Sequence, residues 1–340
     1  MREKPIVCIV QPTDVYFIWQ VHLYVESCIE NGFDEENIHV LLYCPKGRSI
    51  SEKWDELRRV YPKLNIFIYE DKGVGQYIGI YIPILRPHTL WQHFKAFPEL
   101  EKKTIVYTDC DILWTEKLDI AKYYDNETCY ISDAKSYLNV DYFNSKERDV
   151  LPEKLEEYKK RDVLKELCDI VGIDKQIVID NNNNTGGVQY ILKNVTAEFW
   201  KKVEKDVISI RVHLMNNINK QFFANENKGI QSWCADLWAV LYNLWYYKKD
   251  VQVVEEMEFA WASDPIGKLE KVGIFHNAGI TTTTFAGSPA FYKGKYHMGS
   301  NPLNDPLIKQ ILEDEGSKKW CTWWYTEKLQ KLHDKYKINY

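Results

Sequence analysis

The sequence predicts an α/β fold with a mainly parallel central sheet flanked by helices. Residues 5–115 alternate short β-branched and aromatic stretches with longer amphipathic ones, and this alternation is typical of strand–helix–strand units. One apolar stretch, beginning at Ile105, ends on two acidic residues, Asp109 and Asp111. Ligands of parallel sheets bind beyond the carboxyl ends of the strands, so we expect the chemistry of the protein at that edge.

The first third of the chain supplies most of the predicted sheet. Stretches rich in Val, Ile and Tyr predict strands, and Pro87 lies near the start of a helix, where its fixed backbone angle is tolerated. The predicted elements are a strand at 6–10, a helix at 17–31, strands at 38–43 and 66–69, a helix at 86–97 and a strand from 105 to the acid pair.

The rest of the chain predicts a more helical region. Residues 145–175 change to Lys and Glu with periodic Leu and Val, a pattern that indicates an amphipathic helical insertion. The polar run Asn181 to Gly187 predicts a loop. Further predicted elements are strands at 129–132, 188–192, 252–261 and 272–275, and helices at 196–223, 229–247 and 320–336.

Length and charge restrict the class of protein. At 340 residues we expect one elaborated domain, 1–340, with a first half (1–115), a second half (116–300) and a C-terminal extension (301–340). The net charge of −5 comes from interspersed acids and bases, so no nucleic-acid partner is expected. The apolar run at 6–10 is too short for a transmembrane segment. Eight cysteines without a C-x-x-C pair favour a reducing cytoplasm.

Asp109 and Asp111 are the strongest candidate metal ligands. In an extended chain alternate residues face the same way, so both carboxylates would reach one cation. Oxygen ligands suit Mg²⁺ or Mn²⁺, and such an ion with open positions commonly holds a diphosphate. Acid pairs also occur in solvated turns. Here, however, Ile112, Leu113 and Trp114 follow at once, which is unlike a surface turn.

The order of motifs resembles the GT-A glycosyltransferases. A first half that ends in a strand and an Asp-x-Asp pair is followed by the sequence Asn-Thr-Gly-Gly-Val-Gln at 184–189, an acid at 236 within an apolar helix, and a His-x-x-Gly turn at 276–279. This order is most similar to the glycogenin-like retaining branch. The resemblance covers roughly residues 5–300 and implies a Rossmann-like fold, with a nucleotide-binding half at 1–115 and an acceptor and metal half at 116–300.

By this resemblance, Asp109 and Asp111 hold a divalent ion that bridges the two phosphates of a nucleotide sugar. His276 matches the third ligand, and an imidazole with two carboxylates suits Mn²⁺. A histidine that is hydrogen-bonded in a turn is the alternative for His276. Lys293 or Lys295 would place an ammonium on the β-phosphate, and a solvated surface position is the alternative for each.

Other residues are expected to contact the donor and acceptor sugars. The resemblance implies that Asn184, Gly186 and Gly187 let the donor sugar approach the backbone, with Gln189 near the reacting carbon; a Gly-Gly turn that begins a strand is the alternative. Asp236 is an acid in an apolar helix and therefore needs a partner, which could be a sugar hydroxyl, a catalytic role or a salt bridge. Asp133 follows a strand and is a further candidate for sugar hydroxyls.

The nucleotide base is expected beyond the first strand, because that loop lies at the carboxyl edge of the sheet. Tyr16 could stack on the base, and Arg86 could meet a phosphate or ribose. The complete set of residues proposed for this pocket is Gln11, Thr13, Asp14, Tyr16 and Arg86.

Together these features predict a metal-dependent hexosyl- or pentosyltransferase. It would move a sugar from a nucleoside-diphosphate donor, with a UDP-sugar as one candidate, to a carbohydrate, glycolipid or glycoprotein acceptor, with retention of configuration. A phosphohydrolase that uses Asp109 as nucleophile is one alternative, although such enzymes usually carry the motif on their first strand. A non-catalytic carbohydrate-binding protein would explain the 12 Trp and 23 Tyr but not the metal ligands.

Overall fold

The computed structural model describes residues 4–337, and the chain divides into two compact units. The first unit comprises Met1–Asp71, Val106–Asp125 and Glu256–Tyr340, and the second comprises Lys72–Ile105 and Asn126–Glu255. Both units are therefore discontinuous in sequence. The predicted organisation as one elaborated domain stays a prediction.

Strands and helices alternate along the chain as predicted. The strands of three or more residues are β1 (Ile6–Pro12), β2 (Ile38–Cys44), β3 (Asn65–Glu70), β4 (Ile105–Thr108), β5 (Ile112–Trp114), β6 (Cys129–Asp133), β7 (Gly186–Leu192), β8 (Val251–Val253), β9 (Phe259–Trp261) and β10 (Ile274–His276). The α-helices of six or more residues are α1 (Ile18–Glu30), α2 (Lys53–Val60), α3 (Leu85–Ala96), α4 (Val140–Ser145), α5 (Val163–Val171), α6 (Lys175–Asp180), α7 (Ala197–His213), α8 (Ala235–Tyr246), α9 (Pro306–Glu313) and α10 (Cys321–Tyr336). A π-helix, Leu214–Asn219, continues α7.

The first unit contains two sheets. One has the strand order β3-β2-β1-β4, and β2 is parallel to both β1 and β3. All seven residues of β2 are buried, as expected for a parallel strand that is covered on both faces. The other sheet has the order β5-β10-β9, with β10 antiparallel to β5 and parallel to β9.

The second unit carries β7, β6 and β8, together with the helical insertion. β6 is antiparallel to β7 and parallel to β8. Helix α5 lies within the insertion predicted at 145–175, whereas α6 begins at the last residue of that range. Helix α5 has the amphipathic pattern expected, with Val163, Leu167 and Val171 buried on one side. The predicted fold class, a mainly parallel sheet flanked by helices with a helical insertion and a C-terminal helix, is confirmed.

Two predictions of local structure were wrong, and helix α2 was missed. The single strand at 252–261 is two strands, β8 and β9, because residues 255–257 form a 3₁₀ turn between them. The glycines at 186 and 187 lie within β7 and not in a loop. Helix α2 was not predicted, because only Trp54 and Leu57 of its eight residues are buried and the apolar pattern is short.

Two further features are the lengths of the helices relative to a membrane and the state of the cysteines. Within residues 4–337 every helix is too short or too polar to span a bilayer. All eight cysteines are buried and free of disulfides.

Candidate functional site

Asp109, Cys110 and Asp111 form the turn between β4 and β5. The expectation that the two acids alternate along an extended strand was therefore wrong. The chain leaves one sheet of the first unit after Thr108 and enters the other at Ile112. The turn nevertheless brings both carboxylates into one cluster.

His276 reaches the acid turn through the pairing of two strands. β10 runs antiparallel to β5, and His276 is paired with Ile112, which directly follows Asp111. The backbone N–H of Asn277 donates to the carbonyl of Asp111 at 2.8 Å. Residues that are 165 positions apart in the sequence are thereby fixed side by side.

The three predicted metal ligands lie together. One ligand atom each from Asp109, Asp111 and His276 lies within 4.8 Å of the others, and His276 Nε2 is 3.5 Å from Asp111 Oδ1. The side chains of His276 and Asp111 are only 9% and 13% exposed. The ring of Trp261 stacks on the His276 imidazole, with centroids 5.1 Å apart and an interplanar angle of 23°.

This donor set fits a divalent ion. Two carboxylates and an imidazole suit Mn²⁺, and Mg²⁺ accepts the same oxygen ligands. His276 Nδ1 is buried and has no hydrogen-bond partner among residues 4–337, so a buried polar atom of the cluster remains to be satisfied.

Lys293 is the lysine that joins the cluster. Its ammonium forms an ion pair with Asp111 Oδ2. Burial alone would raise the pKa of Asp111, but Lys293 and His276 outweigh it and hold this pKa well below its usual range. Burial lowers the pKa of Lys293, and Asp111 and Asp109 more than compensate, so the lysine stays charged. Lys295 instead forms an ion pair with Asp305.

The loop after β1 contributes Tyr16 to the same surroundings. Burial raises the pKa of the Tyr16 hydroxyl, and the charge of Asp111 adds to this shift. The Asp14 carboxylate accepts the Tyr16 backbone N–H at 2.8 Å and so fixes the loop. The Thr13 carbonyl accepts from Trp54 Nε1 at 3.1 Å. Gln11 is buried within β1.

In the second unit, Asp236 and Arg86 form an ion pair. Arg86 donates to Asp236 Oδ2 at 2.8 Å, and the Tyr81 hydroxyl donates to Oδ1 at 2.9 Å. The Asp236 side chain is 9% exposed and that of Arg86 is 25% exposed. Each carboxylate oxygen of Asp236 thus has a partner within the chain. The ion pair with Arg86 is the salt bridge that the sequence left open as one of the alternatives for Asp236.

The Gly-Gly segment packs closely against β6. A Cβ on Gly186 would lie 2.1 Å from the Ser132 carbonyl, so only glycine fits this strand pairing. Val188 has a φ of +74°, which is strained for a β-branched residue. The Ser132 hydroxyl donates to Gln189 Oε1 at 2.6 Å, and Gln189 Nε2 is buried without a partner among residues 4–337.

The remaining two candidates of the second unit are Asp133, the last residue of β6, and Asn184, in a polar turn. Asp133 is exposed, accepts from the Lys135 N–H at 2.8 Å and forms an ion pair with the Lys135 ammonium. Asn184 ends a 3₁₀ turn, and Thr185 separates it from β7. Their roles toward a sugar stay predictions.

Three neighbours of the candidate residues were not predicted. Trp261 stacks on His276, Tyr81 bonds to Asp236, and Ser132 bonds to Gln189. Trp261 and Ser132 could have been found, since both lie at or near the end of a predicted strand. Tyr81 lies in an irregular apolar segment with no periodic signal.

Comparison with known proteins found matches only among solved structures. No protein-family model matches the sequence, and no curated protein matches it significantly. Among solved structures, the bifunctional glycosyltransferase WbbM matches with a TM-score of 0.43 and 11% identity over 97% of this chain, which spans 52% of WbbM. The galactosyltransferase LgtC, solved with donor and acceptor sugar analogues, matches with a TM-score of 0.42 and 12% identity over 98% of this chain and 97% of LgtC.

A third solved structure is the mannosyltransferase PcManGT from Pyrobaculum calidifontis with GDP-mannose and Mn²⁺. It matches with a TM-score of 0.27 and 12% identity over 72% of each chain. The function of the present chain has to be argued from its own residues.

Proposed function

We propose that this protein is a metal-dependent GT-A glycosyltransferase. It would move a sugar from a nucleoside-diphosphate sugar to an acceptor hydroxyl on a carbohydrate, glycolipid or glycoprotein. The observation that carries this proposal is the convergence of Asp109, Asp111 and His276, whose ligand atoms lie within 4.8 Å of one another. A divalent ion held by so few protein ligands keeps positions open for phosphate oxygens.

Each residue of the cluster has a defined part in the proposed reaction. Asp109, Asp111 and His276 would hold Mn²⁺ or Mg²⁺, which when bound supplies Lewis-acid stabilisation of the departing diphosphate. Lys293 places its ammonium beside the same carboxylates. It would therefore meet the negative charge that develops on the leaving phosphate.

In the second unit, Gln189 is proposed to contact the sugar, and Asp236, the other candidate there, is held in an ion pair. Both oxygens of the Asp236 carboxylate already accept from Arg86 and Tyr81. A carboxylate so held is less available as the base that an inverting enzyme requires, which supports the proposed retention. The buried, unpartnered Nε2 of Gln189 is a donor that a sugar oxygen would satisfy.

The nucleotide base, the class of sugar and the cellular location are also proposed. Tyr16, beside the acid turn, is the ring that we expect to stack on the nucleotide base, with uracil as the first candidate. Either a hexose or a pentose would suit the transfer. A reducing cytoplasm is proposed from the eight free cysteines.

The test is donor hydrolysis and transfer with UDP- and GDP-sugars, measured with Mn²⁺ and with EDTA. We expect turnover that disappears with EDTA and in Asp109→Ala and Asp111→Ala. UDP should raise the melting temperature only when Mn²⁺ is present. Release of inorganic phosphate from sugar phosphates would favour the phosphohydrolase, and sugar binding without any turnover would favour the binding protein.

A further inference from the structure

A cavity of about 500 Å³ lies in the first unit, beyond the end of β5. Trp114, the last residue of β5, lines it, whereas Asp111 lies just before the first residue. On the paired strand β10, His276 lies opposite Ile112 and Ile274 lies opposite Trp114. The cavity and the acid cluster are therefore at opposite ends of the same two strands.

The lining of the cavity is about equally polar and apolar, and two tryptophans belong to its apolar part. Trp114, Trp324, Ile266 and Leu269 line it, and the Trp324 indole is only partly buried. Phe275 packs against Trp324 with ring centroids 5.5 Å apart and holds the indole in place. A fixed, accessible indole is a surface on which the C–H face of a ring can stack.

The rim of the cavity is charged, with more carboxylates than ammonium groups. It carries three glutamates and two lysines: Glu30, Glu116, Glu270, Lys117 and Lys328. Lys328 pairs with Glu30 at 2.9 Å and lies 5.7 Å from the centre of the Trp324 ring. Within residues 4–337, Glu116 and Glu270 make no side-chain hydrogen bond or ion pair, so both can accept from a ligand.

We infer that this cavity binds a neutral saccharide of one or two rings. The volume falls in the range of small-molecule sites. Stacking on Trp324 suits the apolar face of a sugar, and the free carboxylates of Glu116 and Glu270 suit its hydroxyl groups. The excess of carboxylates disfavours phosphates, nucleotides and acidic sugars. This binding is separate from the proposed transfer, since it uses none of the metal ligands.

The test is titration of the full chain with maltose, lactose and cellobiose in the presence of EDTA, followed by saturation-transfer NMR. We expect saturable binding at millimolar concentrations and at least tenfold weaker binding of glucuronate. Trp324→Ala should weaken binding at least tenfold. Trp323→Ala is the matched control, because its indole donates to the Leu312 carbonyl and does not line the cavity.

A second pair of variants tests the inference independently if Trp324→Ala does not fold. Glu270→Gln is a surface change that should weaken binding several-fold, and Glu313→Gln, on α9, should leave it unchanged. Asp111→Asn should bind the disaccharides normally, even if it abolishes transfer. The inference is overturned if none of the three disaccharides binds, if glucuronate binds as well as they do, or if Asp111→Asn abolishes their binding.

Discussion

Asp111 and Asp236 are both largely buried aspartates beside a cationic side chain, yet their surroundings differ. Asp236 has one partner for each oxygen, Arg86 and Tyr81, and this arrangement is complete within the second unit. Asp111 pairs with Lys293, but a second carboxylate and an imidazole also lie within 4.8 Å. The comparison teaches that several converging donors, and not burial of an acid alone, distinguish a candidate metal site from a structural ion pair.

The largest effect is expected from Asp111→Asn. Removing one carboxylate charge from the cluster should abolish measurable Mn²⁺ binding and lower donor turnover by about 100- to 1,000-fold, the scale seen when one electrostatic stabiliser is lost. Isothermal titration with Mn²⁺ and donor hydrolysis are the measurements. Asp305→Asn, which removes the partner of Lys295, is the control and should keep both properties. Normal Mn²⁺ affinity in Asp111→Asn would refute the metal site.

Asp236→Ala should instead act on stability. It removes the carboxylate that pairs with Arg86, and we expect a loss on the order of 2 kcal/mol in the free energy of unfolding. This is less than the roughly 3–5 kcal/mol typical of fully buried pairs, because a quarter of the Arg86 side chain reaches solvent. Urea unfolding measures the loss. The double variant Asp236→Leu with Arg86→Met should recover most of it; an equally unstable double variant would contradict the ion-pair interpretation.

A pH dependence of stability should arise away from the metal cluster, at His22 in α1. Burial is the main cause that lowers its pKa to about 3. An unfolded histidine has a pKa near 6.5, so between pH ~6.5 and ~3 the unfolded chain binds a proton that the folded chain does not. His22 therefore costs about 1.4 kcal/mol of stability per pH unit as the pH falls through this window.

His22→Gln should reduce this slope in urea unfolding measured at several pH values. His297→Gln, at an exposed position, is the control and should leave the slope unchanged. An identical slope in wild type and His22→Gln would show that other groups set the acid sensitivity.

The sequence was sufficient for the elements with a clear apolar period. β1, β2, α1 and α10 agree with the predictions to within a few residues, because their burial follows directly from Val, Ile, Leu and aromatic spacing. The division at residues 255–257 was missed, since apolar side chains continue on both sides of the 3₁₀ turn and no Gly or Pro marks it.

The site was predictable in part. Asp109, Asp111 and His276 could be selected by residue type and by position at strand ends. The pairing of Asp236 with Arg86 could not, because the two residues are 150 positions apart and neither sequence context specifies the partner. The strand pairing of β5 with β10, which brings His276 to the acid turn, is likewise a tertiary feature.

Lys293 and Lys295 show the same limit on a smaller scale and allow the last test. The two lysines are two residues apart, and the sequence did not distinguish between them as phosphate ligands. In the structure, Lys293 forms an ion pair with Asp111 and Lys295 forms one with Asp305. Lys293→Met should therefore weaken UDP binding in the presence of Mn²⁺ about tenfold, because a charge-assisted contact with phosphate is lost. Lys295→Met should change it less than twofold, since the pair with Asp305 is partly exposed. Isothermal titration measures both, and equal losses in the two variants would mean that the position of Lys293 beside Asp111 has no part in binding the diphosphate.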